Sequence, residues 1–163
     1  MPSPYVRAPS AGAAGAHYSG AMTDRRLAVA AWENLFRAQH EVFAELSDDF
    51  TGGELSQAEY DVLLTVARSD DHAARLRDVT ANMLISQPSV SRLVDRMVAR
   101  GLLGKCPDPQ DGRGAIVRAT EEGLVAFRKL ATVHGRSIAD RMSVLSDDEL
   151  AQLEALTAKL RGV

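Results

Sequence analysis

Residues 86–103, with the sequence SQPSVSRLVDRMVARGLL, have the pattern of one short amphipathic helix whose two ends are both marked. Ser86 is a residue type that caps helix N-termini, Pro88 is tolerated in a first turn, and Gly101 favours the left-handed conformation that ends helices. The apolar residues follow the i, i+3, i+4, i+7 spacing of a helix that faces a core: Val90, Leu93, Val94, Met97 and Val98.

The opposite face of this helix is polar and offers amide, hydroxyl and guanidinium groups: Gln87, Ser89, Ser91, Arg92 and Arg96. Such groups hydrogen-bond to base edges and phosphates when a helix lies in a DNA major groove. We expect Gln87 and Arg92 to lie nearest to base edges. Ser86, Ser89 and Arg96 are expected mainly on phosphates. An ordinary surface helix without a DNA role is the alternative.

A β-hairpin is predicted directly after this helix. Two short extended segments, residues 102–106 and 115–119, flank a cluster of Pro, Asp and Gly that predicts a long, irregular tip. Arg113 lies on this tip, and Asp111 is close enough in sequence to brace its guanidinium. A helix that reads DNA in the major groove, here the segment of residues 86–103 that we call the reading helix, followed by a basic hairpin is typical of a winged helix-turn-helix. In such a protein the hairpin, or wing, contacts the DNA backbone or a minor groove. A hairpin with no DNA role is the alternative.

These motifs resemble those of the MarR family of bacterial transcription regulators. The resemblance rests on residues 87–96, on the Arg100-Gly101-Leu102 segment and on the D-P-x-D-x-R pattern of residues 108–113, and it extends over about 23–163. It implies a mainly α fold with a small β-hairpin wing. It also implies a homodimeric regulator, which we expect to be a repressor, on a pseudo-palindromic operator. Small anionic or phenolic ligands, or oxidants, commonly relieve DNA binding in such proteins.

The distribution of charge agrees with DNA binding although the net charge is −3. Residues 86–118 contain six basic and three acidic residues, whereas residues 1–67 contain four basic and nine acidic residues. The positive charge therefore lies where DNA would be met. The single cysteine fits a reducing cytoplasm, and no apolar run in the sequence approaches the length of a membrane span.

The rest of the chain predicts one domain of residues 23–163 behind a mobile tail of residues 1–22, whose composition is rich in Pro, Ser, Gly and Ala. Capping boxes at Ser56 and Ser146 and a cap at Thr120 mark further helix starts. The DNA-binding lobe is expected over about residues 55–119. Long apolar helices over about 24–46 and 120–162 expose more apolar surface than one small lobe covers, which favours a homodimer.

Other functions have weaker support. The sequence lacks the common nucleotide-binding, hydrolase and metalloprotease motifs, and its histidines have no metal-ligand spacing, so we expect neither an enzyme nor a metal or cofactor site. Trp32, Phe36 and His40 share one helix face; they either pack in a core or line a pocket for a small aromatic acid. Cys106 is either a small apolar filler or an oxidant sensor. A winged-helix module that binds another protein also remains open.

Overall fold

A computed structural model describes residues 24–83 and 85–162, and for Arg113 the backbone alone. The helices are α1 (Arg25–Leu46), α2 (Gln57–Ala67), α3 (Leu76–Asn82), α4 (Gln87–Ala99), α5 (Glu121–Met142) and α6 (Asp147–Arg161), and the strands are β1 (Ala73–Arg75), β2 (Leu103–Asp108) and β3 (Asp111–Ala119). The mainly α fold with a small antiparallel wing is confirmed. The predicted tail, residues 1–22, lies outside the described residues.

The chain divides into two compact units, residues 1–38 and residues 39–163. The described part of the first unit is the beginning of α1, on which no residue is buried. The second unit contains every other element, and therefore all residues of the predicted reading helix and wing.

Three helix starts form through the local side-chain contacts that the sequence predicts. The backbone N–H groups of Ser56 and Ser146 each donate to the glutamate three residues later, at 2.8 Å, and both capping boxes are complete. Thr120 accepts from the N–H of Gly123 at 3.0 Å. Each contact satisfies N–H groups that have no partner inside the helix. The predicted caps at Ser56, Thr120 and Ser146 are confirmed.

The core of the second unit forms where α2, α3 and α4 pack against the sheet. Its fully buried side chains include Val62, Leu63 and Val66 of α2, Val79 of α3, Val90, Val94 and Met97 of α4, and Val117 of β3. Four of the five residues predicted on the apolar face of α4 are buried, and the fifth, Val98, is half-buried against the same core. Burial of this face fixes which side of α4 points outward.

The three strands form an antiparallel sheet in the order β1-β3-β2. The strand β1 was not predicted, because three residues are too few to show an alternating pattern. The predicted long, irregular tip is wrong: β2 and β3 continue until Asp108 faces Asp111 across a two-residue connection, with an irregularity at Pro107 and Asp108. The reason is that the Asp108 carboxylate accepts the N–H of Gln110 at 2.9 Å, which completes a tight turn.

Large apolar side chains remain exposed on the long helices. On α1 these include Leu27 and Trp32, and on α6 they include Leu156 and Leu160, all of them more than 60% exposed. None of the described helices is both long and apolar enough to cross a membrane.

Candidate nucleic-acid interface

The reading helix α4 has the predicted ends, but Ser86 acts differently from the prediction. Its hydroxyl does not cap the helix and lies instead 2.9 Å from the hydroxyl of Ser89. The Ser89 N–H that a cap would satisfy already donates to the Ser86 carbonyl at 2.9 Å, so the side-chain cap has no donor left. At the other end Gly101 has a φ of 76°, and Leu102 donates back to Met97 at 3.0 Å, a typical left-handed helix stop.

The outward face of α4 presents the predicted polar groups. Gln87, Arg92 and Arg96 are exposed, and Ser89 and Ser91 are half-buried. Gln87 and Ser91 line a cleft of about 400 Å³ between α3, α4 and the hairpin of β2 and β3, which we call the wing. Ser86, Ser89, Arg92 and Arg96 do not line this cleft.

Three basic residues of the cleft were missed by the sequence analysis: Arg75, Arg77 and Lys105. Each lies outside the motif that identified the reading helix and the tip. Their charge was the available signal, but a charged residue in isolation more often lies on a solvated face. Only the packing of β1, α3 and β2 beside α4 shows that they share a surface with Gln87 and Ser91.

Two ion pairs hold α4 in place. At its C-terminal end, Arg100 donates to the Glu59 carboxylate of α2 at 2.5 Å and to the Glu54 carbonyl at 2.7 Å. Burial opposes the ionisation of Glu59, but hydrogen bonds from Ser56 and from Arg100 lower its pKa below the ordinary value. On the outer face, Lys105 of β2 donates to Asp95 of α4 at 2.7 Å and ties the wing to the helix.

The wing is held by an acid that is almost completely buried. The Asp108 side chain is 3% exposed and accepts from Arg75 Nε at 3.0 Å as well as from the Gln110 N–H. Arg75 also donates from its second nitrogen to the Gln110 side-chain carbonyl. A Cβ on Gly114 would lie 3.1–3.2 Å from Asp111 and Asp108 side-chain atoms, so the close packing of these acids favours glycine there.

Several predicted contacts of the tip involve Arg113, whose side chain lies outside the described part of the structure. Its contact with DNA and the brace from Asp111 therefore stay predictions. Cys106 is exposed on β2, so its interpretation as an apolar filler is wrong. The cause is its position on the solvent face of an outer strand, which the sequence pattern did not show.

Trp32 and Phe36 lie on one face of α1 with their ring centroids 5.9 Å apart. They are 63% and 56% exposed, and His40 is also exposed. Their role in binding a small aromatic acid stays a prediction. Whether the two aromatic rings pack in a core also stays a prediction.

A second ionisable cluster joins α5 to the 3-10 turn Ser47–Phe50. The Asp49 carboxylate contacts His134 Nδ1 at 2.7 Å and accepts from the Ser137 hydroxyl at 2.9 Å. The hydrogen bond with His134 is the main reason that the pKa of Asp49 is lowered. Phe50 and Tyr60 pack edge-on against the His134 ring. No group of side chains in residues 24–83 and 85–162 is arranged to hold a metal ion.

The sequence is similar to those of known transcription regulators. A sequence model of the MarR family matches residues 54–114. The transcriptional regulator PecS of Dickeya dadantii is 25% identical over 112 residues, which cover 68% of this chain and 68% of PecS. The chain spans about half the length of other curated regulators that it matches.

Solved structures show the same fold. AbsC, a MarR family transcriptional regulator from Streptomyces coelicolor, superposes with a TM-score of 0.71 at 24% identity, over 83% of this chain and 95% of AbsC. Sco3205, a MarR family regulator from the same organism solved in complex with DNA, superposes with a TM-score of 0.73 at 18% identity, over 82% of this chain and 85% of Sco3205.

Proposed function

We propose that the chain, whose residues 54–114 match a sequence model of the MarR family, is a transcription regulator that binds a pseudo-palindromic DNA operator as a homodimer. The observation that carries this proposal is the outward face of α4. Its exposed Gln87, Arg92 and Arg96 stand beside a cleft lined by Arg75, Arg77 and Lys105 as well as by two acids, while its apolar face is buried in the core. A surface built for another protein would present apolar side chains there, because interface centres are depleted in charge.

The reading helix enters the major groove in this proposal. Gln87 and Arg92 contact base edges, Ser86, Ser89 and Arg96 contact phosphates, and Ser91 lies in the cleft beside them. The tip of the wing extends along the backbone or into the neighbouring minor groove, where Arg113 makes its contact. The DNA-bound neighbour Sco3205 supports this arrangement by fold.

A homodimer explains the exposed apolar side chains of the long helices. Leu27 and Trp32 of α1 and Leu156 and Leu160 of α6 are mostly exposed among the described residues. Exposed apolar patches of this kind mark protein interfaces, and most homo-oligomers are twofold symmetric. A twofold axis sets two reading helices about one DNA turn, roughly 34–36 Å, apart, as a palindromic operator requires.

We expect repression rather than activation, and release of the operator by a small aromatic or phenolic acid that binds beside Trp32, Phe36 and His40. Such a ligand shifts the protein toward a dimer whose reading helices no longer match the spacing of the operator. It does so only to the extent that it binds this dimer more tightly than the operator-binding dimer. Titrating phenolic acids while following Trp32 fluorescence and operator binding together tests this. Operator release that survives in a W32F/H40A double variant would place the ligand elsewhere.

The central experiment measures binding of the purified protein to the DNA upstream of its own gene, by fluorescence anisotropy over a range of salt concentrations. Arg92→Ala should weaken operator binding by about 1–3 kcal/mol and affect random DNA much less. Arg136→Ala, an exposed arginine of α5, is the matched control and should leave binding unchanged. Equal losses on both DNAs would reduce Arg92 to a backbone contact, and no binding by the wild type would refute the proposal.

Oxidant sensing through Cys106 is the competing mode of control. Lys105, the cation next to Cys106 in the sequence, points to Asp95 and donates to its carboxylate at 2.7 Å. We therefore expect peroxide to leave operator binding unchanged. A loss of binding that occurs in the wild type and disappears in Cys106→Ser would establish the sensor.

A further inference from the structure

We propose that Arg75 is a positioning residue that sets the wing for DNA: its guanidinium clamps Asp108 and Gln110 and so orients the tip that carries Arg113. This inference rests on the proposed operator binding and deepens it. Arg75 belongs to β1 and so lies outside both the reading helix and the wing.

The clamp uses two nitrogens of one guanidinium. Arg75 Nε donates to Asp108 Oδ2 at 3.0 Å, and the terminal nitrogen of the same group donates to the Gln110 side-chain carbonyl. The other oxygen of Asp108 accepts the Gln110 N–H at 2.9 Å. The planar arginine fork thus fixes both the side chain and the backbone of the turn, which the single ammonium of a lysine cannot do.

The tip needs a side-chain clamp because its backbone ladder is weak. The pairing of β1 with β3 ends at Arg75 and Ile116, so no third strand supports the residues beyond it. Pro107 and Pro109 lack the N–H that a ladder requires, and the register of β2 is irregular at Pro107 and Asp108. Arg75 is the last residue of β1, and its side chain continues the support where the backbone stops.

The burial of Asp108 makes this contact specific. Its carboxylate is 3% exposed, whereas Arg75 is 33% exposed, so removal of the arginine leaves a buried charge without its cationic partner. The tip then moves to hydrate the carboxylate, and the direction of the tip relative to α4 is lost. Lys105 and Asp95 still tie the base of the wing to α4, so the disturbance stays at the tip.

Two variants separate positioning from a direct phosphate contact. Arg75→Lys keeps the positive charge but not the fork, and we expect operator affinity to fall about tenfold. Asp108→Asn removes a negative charge next to the DNA surface, which by electrostatics alone would strengthen binding. We expect it to weaken binding instead, because the amide no longer holds the guanidinium. Arg128→Lys is the matched control, since Arg128 pairs with Glu121 at 2.9 Å on α5, away from the cleft.

A double-variant cycle tests whether Arg75 acts through the tip. Arg75→Lys should reduce the slope of log affinity against log salt by about one phosphate contact although no charge is lost, because the Arg113 contact is lost. In an Arg113→Ala background, Arg75→Lys should then have no further effect on affinity. Amide hydrogen exchange of residues 110–114 should accelerate in Arg75→Lys and Asp108→Asn, while the unfolding midpoint of Arg75→Lys stays close to that of the wild type.

The possible outcomes separate a failure of the proposed operator binding from a failure of the Arg75 clamp. No operator binding by the wild type refutes the proposed function itself. If the wild type binds, an unchanged affinity in Arg75→Lys, or tighter binding by Asp108→Asn, overturns the clamp. A direct phosphate contact of Arg75 would also overturn the clamp. In that case Arg75→Lys would bind the operator as tightly as the wild type, and Arg75→Gln would reduce the slope of log affinity against log salt by about one phosphate contact.

Discussion

The anchor between Arg100 and Glu59 gives a quantitative prediction about the reading helix. Arg100→Met keeps most of the apolar stem and removes the guanidinium that contacts Glu59 at 2.5 Å and the Glu54 carbonyl at 2.7 Å. The Glu59 side chain is 10% exposed, so the variant leaves a mostly buried carboxylate with its Ser56 contacts alone. We expect a loss of stability and a less firmly held C-terminal end of α4.

The size of the stability loss expected for Arg100→Met follows from how deeply the Arg100–Glu59 pair is buried. Removing one partner of a fully buried ion pair costs about 3–5 kcal/mol, whereas an exposed pair contributes about 0–1 kcal/mol. Arg100 is 43% exposed and Glu59 keeps its two Ser56 hydrogen bonds, so a value between these two limits applies. We expect Arg100→Met to lower the free energy of unfolding by about 1–2 kcal/mol at pH 7.

The same pair predicts a dependence on pH. Because the folded-state pKa of Glu59 lies below its ordinary value of 4.5, its ionised form stabilises the fold above that value, and this contribution is lost as the pH falls through the lowered pKa. The stability difference between the wild type and Arg100→Met should therefore shrink in acid. Urea unfolding at neutral and acidic pH, at one fixed protein concentration, measures it.

A Glu59→Gln variant and the double variant complete the test. If the pair acts as a unit, the two single losses should not add. Equal stability of the wild type and Arg100→Met at pH 7 would refute the anchor. A difference that persists undiminished well below pH 4.5 would refute the role of the Glu59 charge.

Further predictions concern the helix α5. A Cβ on Gly123 would lie 2.1 Å from the Leu102 carbonyl oxygen, so Gly123→Ala should destabilise the protein by about 1–3 kcal/mol. Gly135 has no atom within 4 Å of the position of a Cβ, so Gly135→Ala should stabilise the protein by up to about 1 kcal/mol. Chemical unfolding of both variants measures these changes, and equal effects would contradict the close approach of Gly123 to Leu102. Asp49→Asn should lower stability at neutral pH and lose its effect below the ordinary Asp pKa of 3.8, since the hydrogen bond with His134 lowers the pKa of Asp49. A thermal melt series across pH measures this, and a pH-independent effect would exclude the carboxylate charge as its cause.

The features predicted correctly from the sequence arise from contacts between residues close together in the chain. The capping boxes at Ser56 and Ser146 and the stop at Gly101 each depend on residues within one helical turn or the next few positions. The apolar face of α4 is likewise a local periodicity, and it alone determines which side faces outward. The reading helix and the family resemblance were therefore available before any packing was known.

Tertiary structure decided the features that join distant parts of the chain. The strand β1 forms only because β3, far along the chain, supplies its hydrogen-bond partners, and Arg75 reaches the tip of the wing only because of that pairing. Asp49 and His134 are 85 residues apart and meet only after α5 packs on the 3-10 turn. No local pattern specifies such contacts, because they depend on which buried faces pack together. A single arginine or aspartate looks the same in the sequence whether its side chain is solvated or held in an ion pair.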